Sequence, residues 1–265
     1  MDWNTIWKNL FAPRDETLYP PCGMFSREHL IAFFLCAALI ALGLFASRYV
    51  KKEHVKRVCR IFAILFTVLE GIKITYNFAY GYTWLDAWFP LAYCSLFIYG
   101  LYFAGFGNAQ VEKFGYAFLA GGGIIAGSFF LIFPTTSLML HPIYHYLCLY
   151  SMLFHSSMVY IGVFILSKGG YDLRLKGWLD YICWILPFSV VAIVMNSIWG
   201  CNMMFYHTPY NLPLEFVVKL HERSQLLYTL LIFAAYSCMY GATYGVCRLI
   251  KRMHKKNKKQ MKGDK

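Results

Sequence analysis

The sequence is poor in charge. Only 14% of its 265 residues are Asp, Glu, Lys or Arg, whereas 59% are hydrophobic and the mean hydropathy is +0.48. Soluble domains carry about 25% charged residues, so this scarcity indicates an integral membrane protein. Several apolar runs of about 20 residues follow one another, which is the length that a helix needs to cross about 30 Å of hydrocarbon.

Other common features are also missing. The nine cysteines form no CxxC pair and no zinc-like spacing, so we expect no metal site and no cofactor. His141 and His145 are four residues apart, but the proline between them weakens a metal-site interpretation. Residues 1–27 lack a basic region followed by an apolar core, and we expect no cleavable signal peptide. Cys22 and Cys201 fall outside the expected spans on one side, where a disulfide between them is one interpretation.

The apolar segments predict an all-α, polytopic membrane helical bundle of seven transmembrane helices. Loops rich in Lys and Arg alternate with loops that have few, and the positive-inside rule places the N-terminus outside and the C-terminus in the cytoplasm. We expect an extracytoplasmic segment (1–27), a transmembrane domain (28–250) and a basic cytoplasmic tail (251–265). The expected spans are 28–48, 59–80, 87–106, 114–133, 145–167, 179–200 and 225–250.

The net charge of +12 lies mainly in the loops and the tail, so it does not point to nucleic acid. Basic residues beside a membrane attract anionic lipid at about 1 kcal/mol each. We therefore expect membrane lipids as partners, with anionic lipid at the cytoplasmic tail, in a multi-pass protein of the cell membrane. The sequence does not specify an oligomeric state.

The second span carries polar groups at an unusual depth. Glu70, Lys73 and Asn77 follow one another at spacings of three and four, which places them on one helix face. An ionisable group in hydrocarbon costs about 2.5–3.5 kcal/mol on insertion scales, so such groups face the bundle interior or a wet cavity. No comparable set is found in the cytoplasmic half.

Further polar residues fall at similar depths in other spans. Cys94 lies roughly 10 Å and His155 roughly 15 Å below the outer ends of their spans, and Glu70 lies roughly 15 Å below the end of its own. Asn196 is near the outer end of the sixth span, and Asn202 is in the loop that follows. These depths favour one shared pocket open to the outside over separate groups that each cap their own helix.

The residue types in this pocket suit acyl transfer. Cys94 would be the nucleophile, His155 the base, and Glu70 would orient that base or pair with Lys73. Substrate-binding candidates are Lys73, Asn77, Tyr93, Asn196 and Asn202.

Four motifs occur in a recognisable order. They are the Phe-Pro-Leu-x-x-Cys stretch ending at Cys94, the Gly-Gly stretch followed by Pro134, His155 in the next span, and Asn202 with aromatic residues before a proline-rich loop. This order resembles the YwaF-type family of bacterial integral membrane proteins, which is similar to eukaryotic transmembrane acyltransferases that remodel ether phospholipids. The resemblance covers roughly residues 28–250 and implies an acyl thioester on Cys94 with His155 as its partner. The chain departs from the family between Leu91 and Cys94, where the family often has a histidine.

Three functions follow from these observations. The first is a lipid acyltransferase or hydrolase that uses Cys94 and His155. The alternative is a transporter or receptor for a small polar or amphiphilic solute, in which Glu70 and Lys73 relay a proton or hold the solute. The absence of an internal repeat counts against a transporter. The third is a structural subunit whose polar groups only fix helices to one another.

Overall fold

The computed structural model describes residues 3–13, 19–210 and 214–263, and these form helices and turns with no strand among them. The predicted all-α class is confirmed. The α-helices are α1 (Trp3–Leu10), α2 (Arg27–Ala46), α3 (Val55–Ala79), α4 (Leu85–Trp88), α5 (Leu96–Phe106), α6 (Glu112–Ala117), α7 (Gly123–Ile132), α8 (Tyr146–Ser167), α9 (Gly177–Trp199), α10 (Glu215–Arg223) and α11 (Gln225–Gly263). Short 3-10 turns lie at Ser47–Tyr49, Lys52–His54, Ser137–Met139 and Met203–Phe205, and a π-helical turn joins α6 to α7 at Phe118–Gly122.

Five helical segments of the described chain are long and apolar enough to cross a membrane, so the protein is a multi-pass membrane protein. The count of seven crossings and the orientation of the termini stay predictions. In α2, 11% of an apolar stretch of 18 residues is buried within the protein, and in α8 the share is 61%. α2 is therefore peripheral in the bundle and α8 is central. The five segments are Arg27–Tyr49, Glu112–Met139, Tyr146–Ser167, Gly177–Trp199 and Gln225–Lys255.

α3 runs antiparallel to both α5 and α8. Arg60 Nε donates to the carbonyl of Gly105 at 2.7 Å. Seven residues further along α3, Thr67 Oγ1 lies 2.9 Å from the hydroxyl of Tyr102, which comes earlier in α5 than Gly105. On the other side Tyr146, at the start of α8, donates to the carbonyl of Leu69 at 2.6 Å. The C-terminal end of α3 and the N-terminal end of α8 therefore lie at the same side of the bundle.

α7 and α8 pack closely because Gly127 of α7 has no side chain to keep the two backbones apart. A Cβ atom on Gly127 would stand 2.7 Å from the carbonyl oxygen of His155, well inside van der Waals contact. The glycine-rich character of this span thus serves helix packing, which small residues allow in membranes.

The third expected span differs from its prediction. Helix covers residues 87–88, at the end of α4, and Leu96–Phe106 of the expected segment 87–106, and the seven residues from Phe89 to Ser95 form an irregular turn. Phe89 has φ −75° and ψ 121°, as expected for a residue that precedes proline, because the ring of Pro90 disfavours the helical region there. The proline therefore ends α4 and does not begin α5, and Cys94 lies in the turn before α5.

The N-terminal segment, which comprises residues 3–13 and 19–26, packs on the ends of α3 and α8. The carbonyl oxygen of Ala12 accepts hydrogen bonds from Tyr76 at 2.8 Å and from Nε2 of His145 at 3.1 Å. The ring of Phe11 stacks on Tyr146 with centroids 5.2 Å apart. The segment that the sequence places outside the membrane is thus attached to the bundle by buried contacts.

The disulfide that the sequence suggested between Cys22 and Cys201 is not formed in the structure, and the surroundings of the two thiols do not favour it. Cys201 contacts Oδ1 of Asn196 at 3.3 Å, at the end of α9. Cys22 instead packs against an apolar cluster that contains Cys148 of α8. The two thiols contact different elements of the fold, so no short movement of their side chains would join them.

Candidate functional site

A buried polar cluster lies between α3 and α8. Tyr150 donates a short hydrogen bond to Oε2 of Glu70, and Nζ of Lys73 lies 2.5 Å from Oε1 of the same carboxylate. The contact between Lys73 and Glu70 is an ion pair and not a hydrogen bond, because the two groups are close but not aligned for one. The side chain of Glu70 is 8% exposed and that of Lys73 23%. Both oxygens of the buried carboxylate therefore face a partner, as a charge in an apolar bundle requires.

Cys94 adjoins this cluster from the turn before α5. Its thiol is free and half-buried, and Lys73, Glu70 and Tyr150 are its electrostatic neighbours. Burial and a carboxylate oppose the thiolate form of a cysteine, whereas a nearby cation such as Lys73 favours it. The structure therefore places Cys94 in the electrostatic neighbourhood of Glu70 and Lys73.

His155 belongs to a different face of α8. Its ring stacks on Phe130 of α7 with centroids 3.6 Å apart, and Nδ1 lies 2.7 Å from the carbonyl oxygen of Ser151. A carbonyl only accepts, so Nδ1 carries the proton and Nε2 keeps its lone pair. Within the described chain no hydrogen bond joins His155 to Cys94 or Glu70, and Glu70 pairs with Lys73 instead of orienting the histidine.

The three asparagines of the expected pocket hold loops in place. Nδ2 of Asn77 donates to the carbonyl of Ala87 at 2.5 Å, which ties the end of α3 to α4. Asn196 accepts from N of Met203 at 2.7 Å and donates back to its carbonyl at 3.0 Å. The Asn202 side chain bonds residues 207 and 208 of its own loop, and its backbone N–H donates to Asp86 at 3.1 Å. Each amide thus has a structural task at the end of a helix, although the sequence favoured a shared pocket.

Tyr93 points away from Cys94 into a packed group of tyrosines. Its hydroxyl shares a short hydrogen bond with Tyr181, whose own hydrogen goes to the carbonyl of Tyr236 at 2.7 Å. Its ring stacks on that of Tyr236 with centroids 4.2 Å apart. Only 5% of Tyr93 is exposed, so it fixes the backbone next to Cys94 and leaves little surface for a substrate.

Two surface pockets lie near these residues. One of about 630 Å³ is lined by aromatic residues of α4 and the end of α9, among them Trp84, Trp88 and Trp199, together with Asp86. The other, of about 440 Å³, lies between Phe11 and α3. Neither pocket is lined by Cys94 or His155. Among the described residues no group of three His, Cys, Asp or Glu side chains could hold a metal ion.

Sequence reasoning missed two tyrosines of α8. Tyr150 supplies the partner of Glu70, and Tyr146 stacks on Tyr150 with centroids 6.0 Å apart while it contacts the N-terminal segment. Their spacing of four on one helix face was a signal in the sequence. Tyrosine is common at membrane interfaces, however, and this spacing alone did not distinguish a buried partner from an interfacial residue.

Comparison with known proteins gives one family. The model of the TMEM164 family, a membrane protein family, matches residues 24–241. No curated protein and no solved structure matches the chain.

Proposed function

We propose, from the premise that the chain belongs to the TMEM164 family, that it is a membrane-bound lipid acyltransferase or acyl hydrolase with Cys94 as its nucleophile. The observation that carries the proposal is the position of the Cys94 thiol, half-buried beside the Glu70–Lys73 ion pair. The Lys73 ammonium favours the reactive thiolate against the opposing effect of burial, whereas a cysteine that only fills space needs no such neighbour. The resemblance to YwaF-type proteins and to transmembrane acyltransferases supports the same residue.

The reaction would proceed in two steps. The Cys94 thiolate attacks the carbonyl carbon of a lipid ester, and the bond from that carbon to the alcohol oxygen breaks, so that an acyl thioester forms and the alcohol leaves with a proton. An acceptor hydroxyl, or water in a hydrolase, then attacks the thioester and restores the thiol. Lys73 would stabilise the thiolate.

His155 is the proposed proton acceptor. The Ser151 carbonyl fixes the proton on Nδ1, which leaves Nε2 in the form that a general base needs. The ring faces α7 in the structure, so this role requires substrate binding to bring Nε2 and the Cys94 thiol together. Glu70 and Tyr150 would hold Lys73 in position.

Trapping the thioester tests the proposal. Purified full-length protein is incubated with vesicles of phosphatidylcholine and phosphatidylethanolamine, and its mass is measured before and after treatment with neutral hydroxylamine. We expect an acyl adduct on Cys94 that hydroxylamine removes. Cys94→Ala should lose the adduct, and Cys183→Ala, at an exposed cysteine of α9, should keep it. An adduct and lipid turnover that survive in Cys94→Ala would disprove the nucleophile.

A second candidate function rests on the same ion pair. A buried carboxylate that touches both an ammonium group and a phenol could hold a polar solute or pass a proton in a transporter or receptor. That function predicts solute flux or binding in liposomes that depends on Glu70 and persists in Cys94→Ala. The acyltransferase predicts that activity is lost in Cys94→Ala, so this variant discriminates between the functions.

A further inference from the structure

We propose that Cys22 and Cys148 form a reversible disulfide that fastens the N-terminal segment to α8. Cys22 precedes α2, and Cys148 lies in the first turn of α8, 126 positions later in the chain. Both thiols are free in the structure, which therefore represents the reduced state.

One carbonyl oxygen connects the two residues. The backbone N–H of Cys22 donates to the oxygen of His141 at 3.0 Å, and Sγ of Cys148 approaches the same oxygen at 3.5 Å. The separation between the Cys22 backbone and the Cys148 sulfur is thus bounded by two hydrogen-bond lengths. Because the Cys148 sulfur lies this close to the Cys22 backbone, the two residues are neighbours in the fold, which is the first requirement of a disulfide.

The surroundings of the two sulfurs also favour a bond. Cys22 packs against the apolar cluster of which Cys148 is a member, and the two thiols are electrostatic neighbours. Sγ of Cys22 contacts Oγ of Ser26 at 3.3 Å, and Sγ of Cys148 points to the carbonyl of Ser137 at 3.3 Å. Thiols are weak hydrogen-bond partners, so rotation of either side chain toward the other loses little.

The chemistry is ordinary thiol–disulfide exchange with a small-molecule disulfide or the disulfide of a thiol oxidoreductase. The thiolate of Cys22, which is the more exposed of the two, attacks the partner disulfide and releases one thiol. Cys148 then attacks the sulfur of Cys22 and releases the second thiol. The protein loses two electrons and two protons, and the partner disulfide is reduced to two thiols. Because burial raises the pKa of the Cys22 thiol, the first attack is faster in alkaline solution.

The bond would control the N-terminal segment. Next to Cys22, the N–H of Gly23 donates to the carbonyl of Leu138 at 2.9 Å, and at its other end the segment covers Tyr146, which stacks on Tyr150. In the reduced protein the contacts described for this segment are hydrogen bonds and ring stacking at the ends of α3 and α8. The disulfide would make that attachment covalent.

Disulfide mapping tests the proposal. Full-length protein in detergent is incubated with oxidised glutathione at pH 8, its remaining thiols are blocked with N-ethylmaleimide, and its peptides are analysed by mass spectrometry without reduction. We expect a Cys22–Cys148 linked peptide and the loss of two of the nine reactive thiols. Cys22→Ser and Cys148→Ser should each abolish the linked peptide, whereas Cys201→Ser should retain it.

Two outcomes would overturn the proposal. One is a different main linkage, such as Cys22–Cys201, or Cys36–Cys148 within the same apolar cluster. The other is no linked peptide from the folded protein when protein denatured in urea and oxidised in parallel yields it, since this shows that the peptide is detectable. The readout comes from the unsubstituted protein and does not depend on any lipid activity.

Discussion

Tyr150 of α8 donates its phenolic hydrogen to the carboxylate of Glu70 on α3, across 80 positions of the chain. Lys73, one turn from Glu70, faces the other oxygen of that carboxylate. The buried charge therefore has one partner from its own helix and one from the neighbouring helix. Substitutions at these residues should lower the free energy of unfolding by amounts that depend on which contact is lost.

Removal of the carboxylate should be costly. Glu70→Ala leaves the Lys73 ammonium without its partner, and such a loss costs about 3–5 kcal/mol in the free energy of unfolding. The double variant Glu70→Leu with Lys73→Met should recover most of this stability, because it removes both charges. Tyr150→Phe, which removes only the hydrogen bond, should cost about 1–3 kcal/mol. Thermal unfolding in detergent measures each value.

The exposed pair of α10 provides the matched control. Glu215 and Lys219 form an ion pair whose side chains are 80% and 71% exposed, so Glu215→Ala should leave the unfolding temperature nearly unchanged. Equal losses in Glu70→Ala and Glu215→Ala would contradict a special role for the buried pair.

Lys73 should set the reactivity of Cys94. Without the ammonium the thiolate is less favoured, and Lys73→Met should slow alkylation of Cys94 by iodoacetamide by on the order of tenfold. Lys73→Arg keeps the charge and should retain most of the rate. Mass spectrometry of quenched samples gives both rates, with Cys183 as an internal reference in the same chain. A rate in Lys73→Met equal to that of the unchanged protein would exclude this electrostatic role.

Close packing of α7 on α8 predicts a difference between two glycines. Gly127→Ala places a methyl group 2.7 Å from the His155 carbonyl and should destabilise the protein by about 1–3 kcal/mol. Gly241→Ala in α11 meets nothing within 4 Å and should be neutral, or stabilise by about 0.5–1 kcal/mol through the better helix propensity of alanine. The unfolding temperatures of the two variants, measured side by side, test this difference. Similar values would contradict the close packing of α7 on α8 at Gly127.

Acid should loosen the N-terminal segment. Burial lowers the pKa of His145 below its ordinary value of 6.5, and the ring is neutral because Nδ1 accepts from the N–H of Leu147 while Nε2 donates to Ala12. Protonation removes that acceptor and adds a charge beside His141 and Tyr76. The attachment is therefore complete above pH 6.5 and weakens as the pH falls below it.

Limited proteolysis between pH 8 and pH 5 measures this effect. Cleavage in the N-terminal segment should increase as the pH falls, and His145→Gln should show little dependence on pH. A cleavage pattern in the unchanged protein that stays constant over this range would refute the role of His145.

Much of the architecture could be predicted from the sequence, because helix length and apolarity are local properties. The expected segment 145–167 differs from α8 by one residue at its start, and the segment 179–200 differs from α9 by two residues or fewer at each end. The third span was mispredicted because its apolar composition gave no sign of the turn at Pro90. Pro90 itself did predict the turn, because a residue that precedes proline disfavours the helical backbone conformation.

The candidate site could be predicted only in part. The predicted depth of Cys94 assumed a helical rise from residue 87, whereas Cys94 lies in the turn before α5, and its neighbourhood with Glu70 and Lys73 comes from the packing of that turn. Depth does not say which way a side chain points, however. Tyr93 faces the tyrosine group, His155 faces α7, and Tyr150 reaches Glu70, and each of these directions depends on contacts between helices.

The order in which the helices are made gives the ion pair of α3 a second importance. We predict from the sequence that α3 crosses the membrane; a ribosome completes α3 before it has synthesised α8, so Glu70 would enter the membrane before Tyr150 exists. Lys73 is only three residues away and can neutralise the carboxylate during that interval. The local pair thus allows a charged helix to be inserted on its own, and the contact with α8 completes the carboxylate's coordination once the later helix arrives.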